Sequence, residues 1–254
     1  MPQRIPRLAR IAHCAAVATL LAFAGSAATA QDSDDLSRFS YEGTLGQARI
    51  GLTLIVQARN SISGGHYFYA KYLTDIPLTG KMGPGSVTLH GADGGSFDLR
   101  FKGNGSEGGQ PMDFRNTVGL DGTWSKDGKS LQVTLGMRDS AAAGGRWYQY
   151  ATDESDAAFE ARAQGFYKAV MAGDRAGAAK YVAFPLRVNG TGKSRYLRSP
   201  AELRAQWESV FTPGFIAGLR NYAPHDMSVV KGQAMLGPGS VFFSDRGATT
   251  LNVF

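Results

Sequence analysis

Residues 153–173 read DESDAAFEARAQGFYKAVMAG, and the architecture turns on them. Phe159, Ala163, Phe166, Tyr167, Val170 and Met171 recur at i, i+4, i+7, i+8, i+11 and i+12, one apolar stripe of an amphipathic helix. Thr152, Asp153, Glu154 and Asp156 put polar and acidic groups where that helix begins and its dipole favours them. Gly173 ends it, and Asp174 is placed to cap a second short helix ending near Val182.

Upstream the period is two. Ile50, Leu52, Leu54 and Val56 fall on one face. Val87 and Leu89 alternate with Ser86, Thr88 and His90, and Phe97, Leu99 and Phe101 with Asp98, Arg100 and Lys102. Val118, Leu120 and Trp124 share a face, as do Leu131, Val133, Leu135 and Met137. Such alternation predicts strands with one buried and one wet face. Gly and Asn/Asp clusters separate them, as at 91–95 and 126–128. The expectation is an all-β antiparallel meander, a curled sheet or small barrel, at 38–150 after a polar leader at 31–37. Residues 139–145 are a candidate hinge, with Trp147, Tyr148 and Tyr150 in a last strand.

Downstream, Ser199-Pro200-Ala201-Glu202 is a capping box with proline at the first helical position. Leu203, Trp207, Val210 and Phe211 would be the buried stripe of that helix. Closing strands are predicted at 227–230, 234–236, 241–243 and 249–254, so 153–254 reads as an α+β unit.

Residues 1–30 carry Arg4, Arg7 and Arg10, an apolar run from Ile11 to Ala24, and Ala28-Thr29-Ala30 before Gln31. These are the three parts of a secretory signal peptide, with cleavage expected between Ala30 and Gln31. The apolar run is shorter than the roughly 20 residues of a membrane span, so no span is expected after cleavage. The single cysteine, Cys14, lies in this segment, which leaves the mature chain without disulfide, thiol nucleophile or thiolate ligand. Setting aside the three leader arginines leaves 24 basic and 21 acidic side chains, a charge of +3. The densest basic stretch, Lys193, Arg195 and Arg198, is too sparse for a nucleic-acid surface.

Beyond these patterns, the carboxy-terminal half resembles the nuclear-transport-factor-type cone fold of ketosteroid isomerase, scytalone dehydratase and the polyketide cyclases. The resemblance covers about 100 residues and is carried by Val170-Met-Ala-Gly-Asp174, Ala178-Ala-Lys-Tyr-Val182, Phe184-Pro-Leu-Arg-Val188, the capped helix at 199–211 and Gly237-Pro-Gly-Ser-Val-Phe-Phe243. It implies a sheet wrapped around the long helix, with a cavity at one end, and a homodimer as one option, since such domains often pair through their sheets. In ketosteroid isomerase-like members an aspartate base follows the second short helix. The matching Tyr181-Val-Ala-Phe-Pro-Leu186 has no acid. The amino-terminal half resembles a β module of exported bacterial proteins, through Tyr41-Glu-Gly-Thr-Leu45, Ile50-Gly-Leu-Thr-Leu54, Ser63-Gly-Gly-His-Tyr-Phe-Tyr69, Ile76-Pro-Leu-Thr-Gly80 and Gly122-Thr-Trp124. That resemblance implies an envelope setting and no activity.

No catalytic constellation stands out. The histidines of the mature chain, His66, His90 and His225, have no metal-ligand spacing, and a metal site would need distant segments to converge. His225-Asp226 on a strand would point to opposite faces. Ser228-Val-Val-Lys231 matches S-x-x-K without its companion motifs, and Gly103-Asn-Gly-Ser-Glu-Gly108 matches G-x-G-x-x-G where a hairpin tip, not a helix, is expected. Asn104-Gly-Ser106 and Asn189-Gly-Thr191 match the glycosylation acceptor pattern. No cofactor or metal is implied.

Tyr167, Tyr181, Arg187, Trp207 and Asp226 are the candidates for a ligand pocket, with Tyr181, Arg187 and Trp207 lining the cone. His66 to Tyr72 places aromatics on both faces of one strand, so both sets cannot share a core. Tyr67, Tyr69 and Tyr72 are the candidate partner contacts, and packing of the second face on the α+β unit is the competing explanation. The expected function is a periplasmic or secreted bacterial protein that binds a protein or a small hydrophobic ligand. The alternatives are a periplasmic inhibitor or immunity protein and a small-molecule enzyme of isomerase, dehydratase or cyclase type using the cone cavity.

Overall fold

Eight strands follow one another along the first part of the chain in the computed structural model, which describes residues 36–57, 61–103 and 111–253. The signal segment, Cys14, the Ala30–Gln31 cleavage site and most of the leader lie outside the described residues, as do Asn104-Gly-Ser106 and the rest of the glycine motif after Gly103. The strands are β1 (Ser37–Leu45), β2 (Ala48–Gln57), β3 (Ser61–Tyr69), β4 (Ile76–Gly83), β5 (Ser86–Gly91), β6 (Ser96–Lys102), β7 (Gly119–Lys126) and β8 (Lys129–Ala142). Each pairs antiparallel with the next, and β8 pairs antiparallel with β1, so the meander closes into a barrel. The alternation explains its core: Leu52, Leu54, Tyr67, Val87, Leu89, Phe97, Leu99, Leu120 and Leu135 are fully buried inside. Gly43 permits the closure, because a Cβ there would collide with the Thr134 carbonyl oxygen on β8.

Four features of the expected barrel change. Leu131, expected on the buried face, is exposed, and β8 runs to Ala142, through the first half of the candidate hinge. Val118 precedes β7 and is exposed, although its backbone already bonds Lys102 on β6 and Met137 on β8. Residues 147–150 form a turn, not a last strand. Tyr148 there is buried in the core of the following unit, against Phe159.

That unit is a six-stranded mixed sheet with few helices. Helix α1 (Asp156–Met171) starts at Ser155, whose hydroxyl accepts from the Ala158 N–H. The Asp156 carboxylate turns back to accept from the N–H groups of Trp147 and Tyr148. Helix α2 (Arg175–Ala179) is capped by Asp174, which accepts from Gly177 N–H. Strand β9 (Val182–Asn189) begins where the second helix was expected to end, and β10 (Arg195–Leu197) pairs with it. The strands β11 (Ser228–Val230), β12 (Gln233–Leu236), β13 (Val241–Ser244) and β14 (Gly247–Asn252) pair antiparallel in sequence. β14 joins β9 in parallel, which gives the order β10-β9-β14-β13-β12-β11.

The single helix expected at 199–211 is broken. Helix α3 (Pro200–Ala205) keeps the predicted cap, with Ser199 Oγ accepting from Glu202 N–H. Gln206 then leaves helical geometry, at φ −100° and ψ 15°, before α4 (Trp207–Val210). Helix α5 (Pro213–Leu219) repeats the same start signal, with Thr212 as its cap. The α1 stripe buries Phe159, Ala163, Phe166 and Val170 in one core with Val188, Phe243 and Leu251. A fully buried side chain of this size contributes roughly 1.5–3 kcal/mol, so packing on the sheet supplies what a 16-residue helix alone lacks.

Candidate functional site

The two units meet on the outer face of β3. Tyr67 points into the barrel, so its neighbours His66 and Phe68 point out. Phe68 is buried all the same: its ring stands edge-on to His225, with centroids 4.4 Å apart. Gly51 on β2 makes room, because a Cβ there would strike the Phe68 ring. The aromatic second face of β3 thus packs on the α+β unit at this point.

His225 and Asp226 lie in the loop before β11, not on a strand. Asp226 has φ +51°, the left-handed region that aspartate tolerates better than most residues. The strand rule that would point the two side chains apart does not apply, and both enter one cluster. Asp226 Oδ2 accepts from Thr53 Oγ1 at 2.9 Å and lies 2.6 Å from His66 Nε2. His225 Nε2 lies 2.8 Å from Asp75 Oδ1, which is 3.6 Å from His66 Nε2. His225 Nδ1 is 2.5 Å from Glu160 Oε2, an ion-pair contact too bent to be a well-formed hydrogen bond.

A second layer fixes these groups. Glu160, on α1, accepts with Oε1 from the Tyr148 hydroxyl at 2.6 Å and from Asp226 N–H at 2.9 Å. The Tyr148 oxygen accepts in turn from Met227 N–H at 2.9 Å. Arg138, on β8, donates to the Asp226 carbonyl and, at 2.9 Å, to Glu42. Trp147 Nε1 donates to the Met227 carbonyl at 2.8 Å, and the Arg38 guanidinium stacks 3.5 Å above the Trp147 ring.

The charges follow from this packing. Burial works against a protonated His225, yet Asp75 and Glu160 outweigh it and push its pKa up to about 10. Burial opposes protonation of His66 as well, and Asp226 overcomes it, so that pKa is also raised. Burial favours a neutral Asp226, but His66 and His225 hold its carboxyl below the usual range. Burial, reinforced by Glu160, keeps the Tyr148 phenol far above its ordinary value. Removing one partner from such a buried set leaves a charge unpaired, at a cost of about 3–5 kcal/mol.

A cleft of about 620 Å³ opens elsewhere on both units. Its walls carry Tyr69 and Tyr72 from the barrel and Tyr167 and Tyr222 from the α+β unit, with Arg49, Lys71 and Arg220 among them and no carboxylate. Arg49 is held by the carbonyls of Arg220, at 2.6 Å, and Asn221. Burial raises the pKa of Tyr167, opposed by the nearby Arg49 and Arg220.

Comparisons with family models, curated proteins and solved structures return no match.

The structure therefore divides the sequence candidates in three. Tyr69, Tyr72 and Tyr167 come together in the cleft, and Asp226 joins the buried cluster. Tyr67 is sealed inside the barrel, where its hydroxyl donates to Asp93 at 3.0 Å, so it has no surface to offer a partner. Tyr181, Arg187 and Trp207 do not converge. Tyr181 packs against α1 at Gly165, Arg187 is exposed on β9 with its Nε donating to Asn189, and Trp207 is buried against Phe211. The space they were expected to line is filled by the apolar core around Phe166, Phe211 and Phe243.

Sequence reasoning missed His66, Asp75, Glu160 and His225 as a group, and the cations of the cleft. The one local signal was Pro224 directly before His225, which favours a loop over a strand.

Proposed function

We propose that the chain is an exported bacterial cell-envelope protein that works by binding, and that the tyrosine cleft takes a small anionic molecule with a flat ring. The lining carries the reading: four tyrosines and three cationic side chains face one cleft with no carboxylate. Tyrosines supply flat apolar area with few rotors to fix. Cations without acids select an anion, and guanidinium groups grip carboxylate or phosphate with two parallel bonds. Arg49 is already anchored by two carbonyls, so ordering it on binding costs little further entropy. A purely hydrophobic ligand would cover these exposed cations without supplying a counter-charge.

Export rests on the charged, apolar and small-residue parts of residues 1–30, with a processed chain starting at Gln31. The cone fold remains our reading of the second unit. What supports it is the order of elements: two helices, β9, further helices, then β11 to β14 returning to lie beside β9.

The test is calorimetric titration with benzoate and phenyl phosphate against neutral benzyl alcohol. The two anions should bind and the alcohol should not. Tyr72→Ala and Arg220→Ala should each weaken binding about tenfold, the equivalent of about 1.4 kcal/mol. Equal binding of benzyl alcohol, or anion binding indifferent to both substitutions, refutes the assignment.

A further inference from the structure

Two neighbouring segments of the barrel and one some 150 residues further along the chain deliver imidazole and carboxylate groups to one point in the seam. His66 comes from β3, Asp75 from the turn before β4, and His225 with Asp226 from the loop before β11. One ligand atom each from His66, His225 and Asp226 lie within 4.8 Å of one another. We propose that His66, His225 and Asp226, completed by Asp75, form a binding site for a divalent transition metal, with zinc the best match to the donors.

The donor set selects the metal. Two imidazole nitrogens with carboxylate oxygens suit zinc and its first-row neighbours, whereas magnesium and calcium take oxygen ligands. Zinc bonds of about 2.0–2.2 Å put the corners of a tetrahedron roughly 3.3 Å apart. The contacts of 2.6, 2.8 and 3.6 Å among His66, His225, Asp75 and Asp226 bracket that spacing. An ion held by His66, His225 and Asp226 would need the short contact to open by less than 1 Å and the widest to close from no more than 4.8 Å, and Asp75, outside that set, would have to move in to complete it.

The surroundings resemble those of a bound metal. A ligating histidine commonly gives its other ring nitrogen to a carboxylate that fixes the ring. Glu160 faces His225 Nδ1 through an ion-pair contact, not a well-formed hydrogen bond, and leaves Nε2 to face the cluster. Thr53 orients the Asp226 carboxylate in the same way. Asp75 is half exposed and gives the ion a way in, while the other three groups lie deeper. Asp75, Glu160 and Asp226 also bring three negative charges to two imidazoles, so a dication would satisfy what the ring protons satisfy without it.

The proposal is tested on the protein stripped with chelator and titrated with zinc chloride in a calorimeter, then with cobalt chloride as a spectroscopic probe. One equivalent of zinc should bind, and cobalt should show the intense visible bands of a four-coordinate site. His66→Gln should weaken zinc binding by at least 100-fold and abolish those bands, and Glu160→Gln should weaken binding about tenfold. His90→Gln, remote on β5, should change nothing. Asp75→Asn, at an exposed position, guards against misfolding of the buried variants: it should keep the wild-type circular dichroism and lose zinc affinity. Wild-type protein that takes up no zinc, or binding that survives both Asp75→Asn and His66→Gln, overturns the proposal. Neither outcome bears on the tyrosine cleft, whose residues are separate.

Discussion

Asp93 shows how one side chain in this barrel makes stability depend on acidity. Its carboxylate accepts from the Tyr67 hydroxyl at 3.0 Å and from Gly95 N–H at 3.1 Å, with Lys126 Nζ 3.5 Å away. Burial opposes ionisation, but these three partners win and hold its pKa below the ordinary 3.8. A depressed folded-state pKa stabilises fully above the unfolded value and is lost as pH falls through the folded one. Asp93→Asn should therefore flatten the acid limb of the stability curve below about pH 4, read by urea melts at a series of pH values. An unchanged limb would show that Asp93 contributes nothing there. At this scale the sequence was readable where a residue acts with its neighbours, as Ser199 does with Glu202, and opaque where it acts across the chain. Nothing local to His66 points to Asp226, because their meeting depends on a loop and a left-handed backbone angle that no periodicity encodes.

Among the elements, strand alternation was legible because each barrel strand has one apolar face, and burial alone makes Leu52, Leu99 or Leu135 inward. Closure stayed open between a curled sheet and a small barrel, since the pairing of β1 with β8 joins residues nearly a whole unit apart and no periodicity in either strand records it. Gly43 is the residue that carries it. Gly43→Ala would set a methyl group against the Thr134 carbonyl, a backbone atom that cannot swing aside. We expect a loss of about 1–3 kcal/mol or more, measured by denaturant unfolding, with exchange of the β1 and β8 amides rising before that of β5 and β6. Equal exchange across all strands would mean the junction is not the weak point. The helix at 199–211 was misjudged for a similar reason. Its apolar stripe continues through Gln206, and only Thr212-Pro213, the same signature as Ser199-Pro200, announced that a new helix begins.

For the whole molecule, the seam decides whether two units behave as one. Phe68 is 1% exposed, yet it stands outside the barrel, against His225. Phe68→Ala should cost about 3–5 kcal/mol. It should also turn a single calorimetric transition into two, because it removes the apolar contact between the units. Two transitions in the unaltered protein would show that the seam never coupled them. The barrel, meanwhile, closes through ladders of unequal length: β3 and β4 pair only over Gly65–Tyr67 and Ile76–Leu78, so Ser61–Gly64 and Thr79–Gly83 lie beyond the ladder of that junction. A partner that recognises this protein by laying a strand alongside it would find more backbone at that junction than at β10 or β11, the edges of the other sheet, which offer only three residues each.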